Sequence, residues 1–207
     1  MPAPETAFHR HLDARPALGH VNLMVDTFIA NASPDDLRSI IRNLLATGPP
    51  GIAPAFSTAA RSRLRQTVSK PLPHPYSLFR RQTRDGHATP LPYLQDVLTR
   101  ARSLYGAGLG FSSLPLLASI VRATVGLRWE DDGDMADILA VIDADIGQAI
   151  QSSKEEIEGS RVMDLASARE ARNELRSAVN DSMADVKSWG GEFPFERASS
   201  SIEYWKF

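Results

Sequence analysis

The sequence WEDDGDMADILAVIDADIGQAI, residues 129–150, joins an acidic beginning to a regular repeat of apolar residues. An α-helix turns by about 100° per residue, so side chains three and four positions apart share one face. Most apolar residues of this stretch lie on such a face: Met135, Ile138, Leu139, Ile142, Ile146, Ala149 and Ile150. The spacing therefore predicts an amphipathic helix that begins near Asp134.

Seven acidic side chains in residues 130–145 make a metal site the alternative interpretation of this stretch. Helical geometry places Asp143 and Asp145 about 160° apart around the axis, so they cannot bind one ion together. The acidic residues at the beginning of the helix are favoured there by unpaired backbone amides and by the helix dipole. The stretch lacks the spacing of an EF-hand loop, and Met135 stands where the DDxxD element of isoprenoid synthases requires aspartate. We therefore predict no metal site.

The chain contains no motif that predicts catalysis or cofactor binding. The glycine-rich GAGLGF, residues 106–111, has Phe111 where a dinucleotide-binding fingerprint needs glycine, and it follows a predicted helix instead of a strand. No nucleophile-elbow, zinc-protease or phosphate-binding-loop sequence occurs. The absence of cysteine excludes disulfides, thiolate metal ligands and a cysteine nucleophile. We predict no catalytic residue and no cofactor, and an enzyme built from scattered residues is the third functional hypothesis.

Helical spacing also marks residues 33–50, SPDDLRSIIRNLLATGPP, where the sequence predicts both ends of a helix. Ser33 is a typical N-cap residue, Pro34 suits the first helical position, and the following aspartates suit the helix dipole. Gly48 and two prolines end the helix. Its apolar stripe consists of Leu37, Ile40, Ile41, Leu44 and Leu45. The overlapping residues 37–51 resemble the first helical hairpin of fungal nuclear proteasome-tether proteins over a small part of the chain, and no residue role is carried over.

The helical pattern continues through the rest of the chain, and strand alternation is almost absent. A helix that begins near Pro54 should direct Phe56 and Leu64 inward. Ser112 or Ser113 should cap a strongly apolar helix, which we expect to be the most buried. The sequence thus predicts an all-α protein: an irregular bundle of about six helices with a Pro-rich central connector and an aromatic C-terminal tail.

The pattern divides the chain into five segments. Residues 1–16 are predicted to be a flexible N-terminus, and residues 17–67 an N-terminal helical subdomain. Five prolines in residues 68–92 remove backbone donors and disfavour helix, so this segment is predicted to be a connector. Residues 93–189 are predicted to form a C-terminal helical subdomain. Residues 190–207 form a tail whose aromatic residues should dock on the core, with docking on another chain as the alternative.

Charge is distributed unevenly along the chain. Residues 1–128 hold 15 Lys and Arg against 7 Asp and Glu, whereas residues 129–207 hold 8 against 18. Two aromatic residues, Tyr76 and Phe79, lie among the basic residues of the segment 57–90. This combination suits phosphate contact and base stacking on nucleic acid, and it equally suits an acidic protein surface or a nuclear-import receptor. The candidate partner-binding residues are therefore Arg61, Arg65, Arg80, Arg81, Arg84, Tyr76 and Phe79, together with Tyr204, Trp205 and Phe207 in the tail.

These features predict binding rather than catalysis. No apolar run is long enough for a signal peptide or a membrane helix, so we expect an intracellular protein, cytoplasmic or nuclear, without membrane contact. We expect a helical protein–protein interaction module, an adaptor or scaffold whose partners are other proteins. The alternative is a nucleic-acid-associated helical protein that uses residues 57–90. Self-association into a homo-oligomer also fits the sequence.

Overall fold

The computed structural model of the chain describes residues 23–67, 74, 77–81 and 87–207. The predicted flexible N-terminus, residues 1–16, lies outside them. The described residues contain eight α-helices and one pair of short strands, so the predicted all-α class is confirmed. The elements are α1 (Leu23–Asn31), α2 (Pro34–Thr47), α3 (Ile52–Thr67), β1 (Phe79–Arg81), β2 (Ala88–Pro90), α4 (Pro92–Gly106), α5 (Gly110–Thr124), α6 (Asp134–Glu158), α7 (Leu165–Trp189) and α8 (Glu196–Glu203). None of the helices in the described part of the chain combines the length and apolar character needed to span a bilayer.

The chain divides into two compact units, residues 1–53 and residues 54–207, which we call unit 1 and unit 2. The boundary falls near the beginning of α3, ahead of residues 68–92, in which the sequence predicts the connector. Most of α3 therefore belongs to unit 2, together with all the elements that follow it.

In unit 1, α2 has the ends that its sequence predicts. The Ser33 hydroxyl oxygen accepts a hydrogen bond from the Asp36 amide at 3.1 Å, and Pro34 occupies the first turn. The Gly48 amide donates to the Leu44 carbonyl oxygen at 2.9 Å where the helix ends. Local sequence signals alone therefore account for the extent of α2.

Helix α5 forms the centre of unit 2. It packs against α4, α6 and α7, and α8 packs in turn against α6 and α7. Ten of the fifteen residues of α5 are buried, a larger share than in any other described helix, so the prediction that this helix is the most buried is confirmed. Phe195 and Trp205 bring the aromatic tail into the same core.

The second half of the predicted connector contains an antiparallel strand pair that the sequence does not predict. Phe79 of β1 lies opposite Pro90 of β2, and Leu78, Phe79 and Ala88 are buried in the core. The Ala88 amide donates to the Arg128 carbonyl oxygen at 2.7 Å. Proline is tolerated in an edge strand, because it removes only a donor that would face solvent, so a proline-rich composition does not exclude strands here. This part of the chain belongs to the fold of unit 2.

The beginning of α5 also differs from the prediction. The helix starts at Gly110, and no side chain of its own caps it. Instead, Oε2 of Glu156 on α6 accepts a hydrogen bond from the Phe111 amide at 3.2 Å. A Cβ atom at Gly110 would lie 2.3 Å from a backbone nitrogen of α6, so only glycine permits this close approach. The prediction that Ser112 or Ser113 caps this helix is wrong because a neighbouring helix supplies the acceptor.

Candidate partner-binding surfaces

Unit 1 presents large apolar side chains to solvent. The apolar residues of α1 and α2 that are most accessible have 37% to 52% of their surface exposed, and α2 contains no buried residue. The stripe that the sequence predicts on α2 is therefore present, but it lies on the surface. We define the unit 1 apolar face by these side chains: Val25, Phe28, Ile29, Ile40, Ile41 and Leu44.

Helix α3 packs against the core of unit 2 through a residue of its later turns. Leu64 packs against the core as predicted, and Arg61 donates from Nη1 to the Ala107 carbonyl oxygen at 3.3 Å. Phe56, near the beginning of the helix, is exposed. The prediction that Phe56 faces inward is wrong because the first turns of α3 have no core beneath them in unit 2.

The basic candidate residues are spread over different elements. Arg61 and Arg65 lie on α3, whereas Arg80 lies exposed on β1. The structure thus does not bring these three side chains onto one element, although they are close together in the sequence. Outside the described residues lie Tyr76, Arg84 and the side chain of Arg81.

Phe79 was a candidate for stacking on a base or a partner, and the structure corrects this assignment. Its side chain is only 6% exposed and belongs to the core of unit 2. Successive side chains of a strand point to opposite sides, so Phe79 faces the core while Arg80 faces solvent. Of this pair, only Arg80 is accessible to a partner.

A third arginine, Arg161 between α6 and α7, meets Arg61 at the turn that links α4 to α5. Nη2 of Arg161 and Nη1 of Arg61 lie 3.5 Å and 3.6 Å from the position that a Cβ atom would take on Gly108. Gly108 has a φ of 77°, a left-handed conformation that favours glycine. Two guanidinium groups therefore converge on a turn that carries no side chain. We define the arginine cluster as Arg61, Arg65 and Arg161.

Two open cavities adjoin the arginine cluster, and Arg161 lines both. The apolar cavity, of about 310 Å³, also includes Arg65. The polar cavity, of about 370 Å³, also includes Arg61. Further lining residues of the apolar cavity are Leu109, Pro115, Val162 and Met163. Further lining residues of the polar cavity are Gln148, Gln151 and Ser152.

Asp145 links α6 to α4 through a network of hydrogen bonds. Its Oδ2 accepts from Nη2 of Arg102 at 2.8 Å, and its Oδ1 accepts from the Tyr105 hydroxyl at 2.7 Å. Burial, together with the hydrogen bond to Asp145, raises the pKa of Tyr105 to about 12. The hydrogen bond to Asp145 also raises the pKa of Arg102. Both donors therefore keep their protons at neutral pH, which suits a network that holds two helices together.

Asp143 makes a different connection, from α6 to the beginning of α8. Its Oδ1 accepts a hydrogen bond from the Ala198 amide at 2.9 Å. Burial raises the pKa of Asp143, because the charged carboxylate loses contact with water. Asp143 and Asp145 thus contact different helices, as their angular separation predicts.

An open cavity of about 420 Å³ lies beside Asp143. Its walls include Asp131, Asp137, Glu192 and Glu196, so it would attract cations. Among the described residues, however, no three His, Asp or Glu side chains are placed to hold a metal ion. The acidic residues of the stretch that opens α6 therefore line a surface cavity and connect helices.

The aromatic tail is divided between core and surface. The ring of Trp205 is buried and lies 5.7 Å from the ring of Phe111, centroid to centroid. The Phe207 carbonyl oxygen accepts a hydrogen bond from Nη1 of Arg172 at 2.8 Å, and its ring is partly buried. Tyr204 is 79% exposed. As candidates for partner binding, Trp205 is corrected to a core residue, whereas Tyr204 is accessible.

Comparisons with known proteins assign the chain to no family. No protein-family model matches the chain, and neither does any curated protein or solved structure. The short resemblance of residues 37–51 therefore supports no family assignment. The surfaces of the molecule itself are the basis of the functional proposal.

Proposed function

We propose that the protein is a protein–protein interaction module, an adaptor whose unit 1 apolar face binds an apolar helix or groove of another polypeptide. The observation that carries this proposal is the exposure of Ile40, Ile41 and Leu44 along one side of a helix with a defined cap and end. Burying apolar surface favours association by roughly 25 cal/mol per Å². Contiguous apolar patches are typical of protein interfaces.

The polar side of α2 supports the same proposal. Ser39 lies on the side of the helix opposite the apolar stripe, and Arg38, at the edge of the stripe, pairs with Asp35 at 2.7 Å. A helix with one apolar side and one polar side suits helix-in-groove or helix–helix binding. Nucleic-acid binding depends on contacts between cations and phosphates, whereas the side chains that carry this proposal are apolar.

A charge placed on either side of α2 tests the proposal. Ile41→Glu adds a carboxylate to the apolar stripe, and Ser39→Glu adds the same group about 160° away around the helix. Affinity capture and mass spectrometry with the wild type and both variants compare the bound proteins. We expect Ile41→Glu to lose partners that the wild type and Ser39→Glu retain. Retention of every partner by Ile41→Glu would contradict the proposal.

Two further measurements separate the alternatives. Light scattering of the purified chain shows whether the partner is a second copy, in which case Ile41→Glu should reduce the mass of the particle. Raising the salt concentration from about 50 to 200 mM should leave an apolar protein complex largely intact, whereas a nucleic-acid complex would weaken steeply. We place the adaptor in the cytoplasm or nucleus, which imaging of a fluorescent fusion tests.

A further inference from the structure

In the described part of the chain, no arginine of the cluster forms an ion pair or a hydrogen bond with a carboxylate. The ion pairs found there involve other cations. Arg61 donates instead to a backbone carbonyl and to Oγ1 of Thr58 at 3.1 Å. Nε of Arg161 is buried without a hydrogen-bond partner. Because like charges repel when they converge, the cluster would be stabilised by an anion.

Glu156, a buried carboxylate that lines the apolar cavity together with Arg65 and Arg161, is already engaged. It accepts the hydrogen bond from the Phe111 amide at the start of α5, and it acts on Arg65 and Arg161 only through its charge. Burial raises the pKa of Glu156. Arg65 and Arg161 therefore line the cavities without a hydrogen bond to a carboxylate of the chain, which leaves them for a carboxylate from another molecule.

The apolar cavity indicates what should lie next to that carboxylate. Leu109, Val162 and Met163 line it beside Arg65 and Arg161, and Met163 is 91% exposed. Met is flexible and adapts to irregular apolar ligands. An aliphatic side chain would cover Met163 and replace its contact with water.

Carboxylates that line the two cavities disfavour a polyanion. Glu155 lines the polar cavity, and Asp164 lines the apolar cavity. Hydrogen bonds with Ser167 and Ala166 lower the pKa of Asp164, so this group is charged at neutral pH. A nucleic-acid backbone or an anionic membrane surface would bring its phosphates against these carboxylates. A single acidic side chain brings one carboxylate to the arginines and meets less of this repulsion than a row of phosphates does.

We therefore propose that the arginine cluster binds one acidic side chain of a partner peptide, and that the apolar cavity accepts an aliphatic side chain next to it. Hydrogen bonds between guanidinium and carboxylate groups are charge-assisted and directional, which distinguishes an acid from its neutral amide. The site lies in unit 2 and does not use the unit 1 apolar face, so it goes beyond the function proposed above.

Two blocked pentapeptides test this site: acetyl-Gly-Leu-Glu-Leu-Gly-amide and the isosteric peptide with Gln in place of Glu. Each is titrated into the full chain and followed by NMR through the Gly108 amide and the Nε–H of Arg161, whose burial slows exchange with water. We expect the Glu peptide to shift both signals saturably. We expect the Gln peptide to bind about tenfold more weakly or less, as the loss of a charge-assisted hydrogen bond implies.

Variants of the arginines connect this binding to the cluster. Arg161→Gln should weaken binding of the Glu peptide about tenfold or more, and Arg161→Lys should restore part of it, because Lys keeps the charge without the planar fork. Arg176→Gln removes an exposed arginine of α7 outside the cluster and should leave the affinity unchanged. If Arg161→Gln lowers the unfolding midpoint, Arg61→Gln provides the same test.

Each contrary result would overturn the proposal. These results are equal shifts by the two peptides, no saturable shift at millimolar concentration, or unchanged binding by both arginine variants. A response to single-stranded oligothymidine but not to the Glu peptide would overturn it as well and would identify a nucleic-acid surface. Ile41→Glu in unit 1 should leave peptide binding intact, so failure of the proposed function and failure of this site are distinguishable.

Discussion

Helices α2 and α5 are both rich in Leu and Ile but differ in what surrounds them. α2 has its own cap, Ser33, and its own end at Gly48, yet none of its residues is buried. α5 has no side-chain cap of its own, yet ten of its fifteen residues are buried. The difference shows that helix formation by local signals and burial by tertiary contacts are separate properties.

The neighbours of each helix explain this difference. α5 lies against three helices, and Glu156 of α6 supplies the acceptor that its first turn lacks. α2 receives its cap from the preceding residue, because its own sequence provides the acceptor. A helix that supplies its own cap can keep its apolar face available for another polypeptide, and this is the role that we propose for α2.

The largest effect is expected where the tail packs on α5. Trp205→Ala should lower the free energy of unfolding by about 3–5 kcal/mol, because it removes a buried ring that contacts Phe111. Tyr204→Ala, at the exposed neighbouring position, should change it by less than about 0.5 kcal/mol. Urea denaturation of both variants measures the difference. Equal small effects would mean that the tail does not belong to the core.

A matched pair of leucines tests the comparison between the helices directly. Leu114→Ala in α5 should lower the free energy of unfolding by about 2–5 kcal/mol, since the side chain is fully buried. Leu44→Ala in α2 should change it by less than about 0.5 kcal/mol in the purified chain. Urea denaturation again provides the measurement. A large effect of Leu44→Ala at all protein concentrations would indicate that the face is covered within the chain, and an effect limited to high concentration would indicate self-association.

The cap that Glu156 provides to α5 should contribute less to the free energy of unfolding than the core contacts of this helix. Glu156→Ala leaves the buried Phe111 amide without its acceptor and should lower the free energy of unfolding by about 1–3 kcal/mol. Glu156→Gln keeps an acceptor and should retain most of the stability. Thermal unfolding of the two variants separates the role of the hydrogen-bond acceptor from that of the charge. An equal loss of stability in both variants would show that the charge dominates.

The dependence of the unfolding free energy on pH tests the contribution of the Glu156 charge separately. The pKa of this group in the folded state lies above its ordinary value of 4.5 because of burial, so the folded state binds the proton more tightly than the unfolded state does. The stabilisation from this group is therefore fully present below the ordinary pKa and is lost as the pH rises through the raised pKa. The stability of the wild type relative to Glu156→Gln should fall over that window, as urea unfolding at a series of pH values measures. A rise instead would mean that the charged form is favoured.

The smallest effect is expected at the local cap of α2. Ser33→Ala removes the acceptor of the Asp36 amide and should weaken the first turn by about 1 kcal/mol. Hydrogen exchange should become faster for α2 amides and stay unchanged in α5. Ser39→Ala, on the polar side of α2, serves as the control. Faster exchange throughout both helices would show that the stabilities of α2 and α5 are coupled.

The sequence by itself determined the features that depend on neighbouring residues. The all-α class, the cap and end of α2, and the beginning of α6 at Asp134 all follow from periodicity and capping. The different directions of Asp143 and Asp145 follow from helical geometry as well. These properties are readable because their causes lie within one or two helical turns.

Pairings between distant parts of the chain were decided only in the tertiary structure. The strand pair buries Phe79 because two short stretches of the proline-rich segment, residues 79–81 and 88–90, pair over the core. Glu156 of α6 caps α5, although local sequence favours a serine of α5 itself as the cap. Local propensity does not reveal such partners, because the backbone donor or acceptor that is satisfied lies far away in the sequence.

The candidate sites illustrate the same limit. Arg61 and Arg65 are visible as part of a basic segment, but Arg161 lies far away in the sequence. It joins Arg61 at Gly108 and Arg65 at the apolar cavity only in the folded chain. The apolar stripe of α2 is equally visible in the sequence, but its exposure is not, because periodicity shows that a face is apolar without showing what covers it. Covering a face and assembling a charge cluster both depend on which distant surfaces pack together, and that is a property of the tertiary structure alone.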